Sequence, residues 1–210
     1  MEILAHRGMW NLPEEKNTLN AIRKAFVNGL GIETDLRDYN GKLVISHDVA
    51  NDTSPLAEEM FKIYRNLGLN VQLALNVKAD GIQKMLGELL EHYQIKNYFL
   101  FDMSVPELVV NDARGLYYYT RNSDIESDCV MYQRASGVWV DYFYDDLWLN
   151  EQVLAKHINQ KKKVCIVSPE LHGKDYKQLW KLLKDTGLYE NELVTLCSDR
   201  PMEAREYFYD

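Results

Sequence analysis

The stretch Gly31-Ile32-Glu33-Thr34-Asp35-Leu36, followed by Asn40-Gly41 and then Lys42-Leu43-Val44-Ile45-Ser46-His47-Asp48, sets the architecture of this chain. Residues 31–36 read as a strand. Asn40-Gly41 reads as a two-residue hairpin turn, because both central positions of such a turn need a positive φ that Asn and Gly tolerate. Lys42–Ser46 is then an antiparallel partner, an accessory to the sheet that the first strand belongs to. Side chains at i and i+2 of a strand share a face, so Glu33 and Asp35 project together. Two carboxylates buried side by side are costly unless a cation or a basic group neutralises them.

Outward from this hairpin, apolar runs alternate with segments of helical period. Ile3–Ala5 reads as the first strand and Thr18–Asn28 as the first helix, with Asn17 or Thr18 as its cap and Gly29 beyond its end. Pro55–Leu67 reads as a helix, Val71–Lys78 as the third core strand and Ile82–Tyr93 as its helix. Tyr98–Phe101 is the fourth strand, with a short helix from Pro106, and Leu116–Thr120 is the fifth. Ser123–Ala135 reads as an irregular helix. Gly137–Tyr142, Lys163–Ser168 and Leu193–Ser198 are the last three core strands. The helices Asn150–Gln160 and Asp175–Asp185 lie between them, and Pro201 opens a final helix at an N1-like position. Eight core strands with intervening helices, plus one accessory hairpin strand after strand two, predict a compact (β/α)8 TIM barrel spanning 1–210 as one domain. A doubly wound sheet is disfavoured, since no Gly-rich phosphate loop follows the first strand.

The 210 residues carry 46% hydrophobic and 27% charged side chains, the proportions of an ordinary globule. A net charge of −8 argues against non-specific nucleic-acid binding and against an anionic membrane surface. No apolar run is long enough to span a bilayer. Cys129, Cys165 and Cys197 are widely spaced and odd in number. A reducing compartment and a cytoplasmic location are therefore expected. His92 and His157, in polar helical stretches, are expected on the surface.

The barrel reading places polar groups where such folds keep their chemistry, at the C-terminal ends of strands. His6-Arg7-Gly8 follows strand one, Glu33 and Asp35 lie on strand two, and His47-Asp48 closes the accessory strand. Asn76 and Lys78 share a face of strand three. Asp102, Arg121, Asp141, Glu170 and Asp199 fall just past later strands. Carboxylates can hold a hard divalent cation, arginine can fork onto phosphate oxygens, and histidines move protons near neutral pH. This set suits metal-assisted cleavage of a phosphate ester. Tyr142 or Phe143 could floor a sugar or glycerol group.

The ordered motifs His6-Arg7-Gly8, Asn17-Thr18, Glu33-Thr34-Asp35, Gly41 with His47-Asp48, and Ser198-Asp199-Arg200-Pro201 resemble those of the glycerophosphodiester phosphodiesterase family. The resemblance is sharp over about the first fifty residues, good near Lys78 and at the end, and thin between. It implies a barrel, a phosphoric diester hydrolase, one divalent cation (Mg²⁺ or Ca²⁺), and His6 and His47 as acid and base. It further implies Glu33 and Asp35 as metal ligands, with Asn76 standing where the family's third strand usually carries a glutamate ligand. Arg7, Lys78 and Arg121 are the expected phosphate contacts, and the substrate a small-molecule phosphodiester with a polyol or sugar-like alcohol. Asparagine offers a carbonyl oxygen without charge. Glu170 or Asp141 could complete the ligand set instead, Asp48 could orient a loop or histidine, and His172 could touch substrate. Two alternatives stay open: a phospholipase-D-like lyase forming a cyclic phosphate, and a non-catalytic phosphate-binding barrel motivated by Asn76.

Overall fold

A computed structural model describes residues 1–210. Its contacts divide the chain into two compact units, Ala5–Tyr118, and Met1–Leu4 with Tyr119–Asp210.

β1 (Glu2–His6) crosses into the first unit at Ala5, and α1 (Leu19–Val27), β2 (Gly31–Tyr39), β3 (Lys42–Ile45), α2 (Ala57–Asn66) and β4 (Leu73–Val77) follow. α3 (Gln83–His92), β5 (Tyr98–Phe101) and α4 (Val105–Ala113) complete it. β2, β4 and β5 are parallel neighbours, in a register that sets Asp35 beside Asn76 and Asn76 beside Phe101. β3 runs antiparallel on β2, with Leu36 opposite Ile45. The turn between them holds Asn40 at φ 49° and Gly41 at φ 71°, as the sequence predicts. Thr18 caps α1 by accepting the Ala21 N–H at 3.2 Å. The apolar stripe of that helix, Ala21, Ile22, Ala25 and Phe26, is buried on the strands. Burial of such side chains contributes about 1.5–3 kcal/mol each for the larger ones.

The second unit holds β6 (Tyr119–Asn122), β7 (Gly137–Val140), α5 (Glu151–Ile158), β8 (Lys163–Val167), α6 (Lys177–Asp185), β9 (Val194–Ser198) and α7 (Pro201–Tyr209). β6 to β9 are parallel in sequence order. Trp180 on α6 is buried against Tyr176 and Phe208, with ring centroids 4.3 and 5.8 Å away. Eight parallel strands alternating with helices, and a ninth strand on β2, are the (β/α)8 barrel class with its accessory hairpin. No helix is long and apolar enough to cross a membrane.

Two expectations are corrected. Ser123–Ala135 contains turns and bends and no helix. Its backbone is tied instead by reciprocal Ser123–Glu126 bonds and by Lys162, whose Nζ donates to the carbonyls of Gln133 and Ala135. His157 is not a surface residue: it is fully buried on α5. Its Nε2 bonds the side-chain oxygen of Asn122 and its Nδ1 the Tyr132 hydroxyl, both at 3.0 Å, so the ring is the polar filling of an otherwise closed interior. Burial pulls its pKa down to about 4.

Candidate active site

The first unit builds the site from the ends of β1, β2, β3 and β4. After His6 the chain turns through Arg7 (φ 58°) and Gly8 (φ 88°). A Cβ on residue 8 would lie 2.6 Å from the Ala21 carbonyl carbon and 2.7 Å from the Ile22 nitrogen, so only glycine lets the turn press on the start of α1. The Arg7 N–H donates to the Glu33 carbonyl and the Arg7 carbonyl accepts from Asn17 N–H, both at 2.9 Å. The arginine is thereby fixed over β2.

Glu33 and Asp35 are 2% and 0% exposed. Asp35 Oδ2 accepts from Asn17 Nδ2 at 2.8 Å and lies 3.1 Å from Arg7 Nε, an ion pair lacking hydrogen-bond alignment. Asp35 Oδ1 lies 3.6 Å from Lys78 Nζ, and the same ammonium lies 3.7 Å from Asp102 Oδ2. Glu33 Oε2 is 3.7 Å from His6 Nε2. Asn76, 5% exposed, donates its Nδ2 to Asp102 Oδ2 at 3.1 Å. Three buried oxygens on these two strands accept no hydrogen bond: Glu33 Oε2, Asp35 Oδ1 and Asn76 Oδ1. Burial, then the nearby Asp35 charge, pushes the Glu33 carboxyl well above the usual carboxylate range, against the opposing pull of Arg7 and Lys78.

His47 lies one residue past Ser46, whose N–H donates to the Asp35 carbonyl at 3.0 Å. Its Nδ1 meets Asp48 Oδ1 at 2.8 Å, and this bond holds the exposed Asp48 carboxyl below its ordinary range. Arg37, on β2, donates from Nε and Nη2 to the His47 carbonyl.

The remaining expected residues lie in the second unit. Arg121 makes a bidentate pair with Glu126, at 2.8 and 3.0 Å. His172 Nε2 meets Asp141 Oδ1 at 2.7 Å, and this bond raises the His172 pKa. The Phe143 ring stands 5.2 Å from the His172 ring, while Lys174 Nζ covers the buried Tyr142 ring at 4.6 Å. Glu170 accepts from the Ser168 and Ser198 hydroxyls, each at 2.5 Å, and from the Asp199 N–H at 3.2 Å. Within this unit, then, Arg121 is engaged by a carboxylate, Asp141 by a histidine and Glu170 by two hydroxyls.

The unsatisfied oxygens test whether a cation suits the first unit. Two carboxylate oxygens and an amide oxygen, each buried and without a hydrogen-bond donor, are a hard donor set of the kind Mg²⁺ and Ca²⁺ take. The fit depends on the amide, since no three His, Cys, Asp or Glu side chains are grouped to hold an ion. The contacts of two residues at this site were not foreseen in the sequence. Of the two expected caps, Thr18 takes the role, and Asn17 sits at φ 61° with its Oδ1 accepting the Thr34 hydroxyl and its Nδ2 on Asp35. Asp102 was legible only as one of several acids past a strand. Its φ of 66° sets it against Asn76, and no local pattern announces that conformation.

Three solved structures share the (β/α)8 barrel fold of this chain. A glycerophosphodiester phosphodiesterase from Parabacteroides distasonis is similar at 16% identity and a TM-score of 0.70, over 99% of this chain and 96% of that one. One from Agrobacterium tumefaciens matches at 16% identity and 0.69, over 95% and 96%. A phosphodiesterase from Oleispira antarctica, solved with the product sn-glycerol-3-phosphate, matches at 16% identity and 0.72, over 100% and 97%. No family model and no curated protein matches the chain. At these identities the likeness is one of fold.

Proposed function

We propose that this protein cleaves a small phosphodiester with the help of one divalent cation, His6 and His47 moving the protons. One observation carries the reading: the buried Glu33–Asp35 pair keeps unsatisfied oxygens while His6, Arg7 and Lys78 stand within 3.1–3.7 Å of it. A purely structural ion cluster would satisfy those oxygens, because an unbonded buried acceptor costs roughly 1–3 kcal/mol. Glu33, Asp35 and Asn76 would hold the cation, which when bound would spread the charge that develops on the phosphoryl oxygens. Arg7 and Lys78 supply a planar fork and a point charge to hold the phosphate. A carboxylate on His47 Nδ1 selects the tautomer with the proton there, so Nε2 is left to accept one from the attacking hydroxyl. His6, beside Glu33, is suited to carry a proton to the leaving alkoxide.

The fold neighbours support the reaction class, and the sn-glycerol-3-phosphate bound by the Oleispira enzyme supports a polyol phosphate as one product here. The test is a panel of glycerophosphodiesters and sugar phosphodiesters incubated with Mg²⁺, Ca²⁺ or Mn²⁺, or with EDTA, and followed by phosphorus NMR. A new monoester resonance that EDTA suppresses is expected. A cyclic phosphate in its place would assign a lyase. An unchanged spectrum across the panel would sink the proposal.

A further inference from the structure

Glu33, Asp35 and Arg37 alternate along β2 and so share one of its faces, but the arginine reaches forward across the hairpin. The pairing of β2 with β4 ends at Leu36 and Val77. Arg37, one residue further on, lies opposite Val44 of β3. From there its Nε and Nη2 donate to the His47 carbonyl, at 3.3 and 3.2 Å. Arg7, Arg121 and Arg200 each stand against a carboxylate. Arg37 instead spends one planar edge of its fork on a single neutral oxygen.

That oxygen belongs to the first exposed residue of a loop. Ser46 is held by its N–H on the Asp35 carbonyl, and residues 47–49 beyond it are exposed. The His47 ring meets Asp48, yet the Asp48 side chain is 93% exposed. Their bond therefore selects a tautomer and moves with the loop. A proton carrier must also stand within hydrogen-bond reach of the hydroxyl it serves. Two N–H groups on the carbonyl fix the backbone from which the imidazole projects. We infer that Arg37 is a positioning residue for His47: it clamps that backbone to the strand that carries Glu33 and Asp35. Arg37 acts through His47 and touches no reacting atom. The inference rests on the reading of His47 as a proton carrier, and adds to it a residue outside every motif named above.

The test pairs backbone NMR relaxation with turnover. Arg37→Met keeps an unbranched stem and removes every donor, and Arg37→Lys restores a single ammonium. The His47 amide order parameter should be that of rigid backbone in wild type, about 0.85, and fall below about 0.6 in Arg37→Met. On a confirmed diester the same variant should lose roughly 10–100-fold in kcat with KM nearly unchanged, because a displaced proton carrier fails in the transition state. Arg37→Lys should fall between the two. In a His47→Ala background Arg37→Met should cost nothing further, since the two residues act as a unit. Tyr39→Phe frees the same loop only at Asp52, whose Oδ1 accepts the Tyr39 hydroxyl, and should leave both readouts in place. An unchanged order parameter in Arg37→Met would overturn the inference, as would lost order with wild-type kcat. So would an equal loss in Tyr39→Phe, or an undiminished loss in the His47→Ala background. The order parameter needs no substrate, so it tests the clamp even where no diester is cleaved. Full turnover in His47→Ala would refute the proton-transfer reading itself, and with it the catalytic purpose of the clamp.

Discussion

His47, His157 and His172 carry the same imidazole into three settings, and the partners of each ring decide its chemistry. His47 has a carboxylate on Nδ1 and stands one residue past Ser46, whose N–H donates to the Asp35 carbonyl. With His6 it is the proposed proton pair, so His6→Ala and His47→Ala should each lower turnover about 10²–10⁴-fold on a confirmed diester, with melting nearly unchanged. Wild-type turnover in either variant would remove that residue from the mechanism. His157 and His172 should titrate in opposite directions from the ordinary 6.5. Burial favours neutral His157, so it contributes stability above that value and loses it as pH falls toward about 4. Asp141 favours charged His172, so their pair contributes stability below the ordinary value and loses it as pH rises through the raised one. Proton NMR of the ring hydrogens should show the His157 midpoint near 4 and the His172 midpoint above 6.5, with Asp141→Asn bringing the latter down. Coincident midpoints would contradict both environments.

At the scale of elements, the site depends on how the β1–α1 connection folds back on β2. Gly8 permits the close approach and Asn17 ties the returning chain to both Thr34 and Asp35. Gly8→Ala meets backbone at 2.6 Å from an already left-handed position, so it should cost about 2–4 kcal/mol in urea unfolding. Asn17→Ala strips a buried carboxylate and a buried hydroxyl of their partner and should cost a similar amount, about 2–4 kcal/mol. A shift below ~0.5 kcal/mol in either would mean that the connection relaxes freely. The β2–β3 hairpin was legible because turn chemistry and strand period are local: Asn40-Gly41 and Lys42–Ile45 formed as the residues dictate. So were the cap at Thr18 and the proline start of α7. Residues 123–135 were misread because their order comes from distant partners, among them Lys162 and the His157–Tyr132 contact. The same reason hid the contacts that Asn17 and Asp102 make. Their site roles arise from contacts 18 and 26 residues away in sequence.

Across the whole molecule, stability and cation binding are linked through the same buried charges. A ligand that binds only the folded state at a hundred times its Kd stabilises it by about 2.7 kcal/mol. For a chain of 210 residues each kcal/mol moves Tm by roughly 2–4 °C, so saturating Mg²⁺ or Mn²⁺ should raise the wild-type Tm by about 5–10 °C over EDTA. Glu33 sharpens this into a test of what the cluster is for. Without a cation, its Oε2 is a buried acceptor with no hydrogen bond, next to the Asp35 charge. Glu33→Gln keeps the volume and removes that repulsion, so with EDTA the variant should melt above wild type. With saturating cation the order should reverse, because the variant has lost a charged ligand and with it the cation-dependent rise. Asp35→Asn should lose the same rise but melt below wild type in EDTA, since Arg7 and Lys78 then face no charge on β2 at Asp35. A cluster kept only for structure would behave otherwise: Glu33→Gln would melt below wild type in EDTA as well, and the cation would shift neither protein. The crossing of the Glu33→Gln and wild-type melting temperatures between EDTA and cation therefore separates a site held ready for a metal from an internal ion pair.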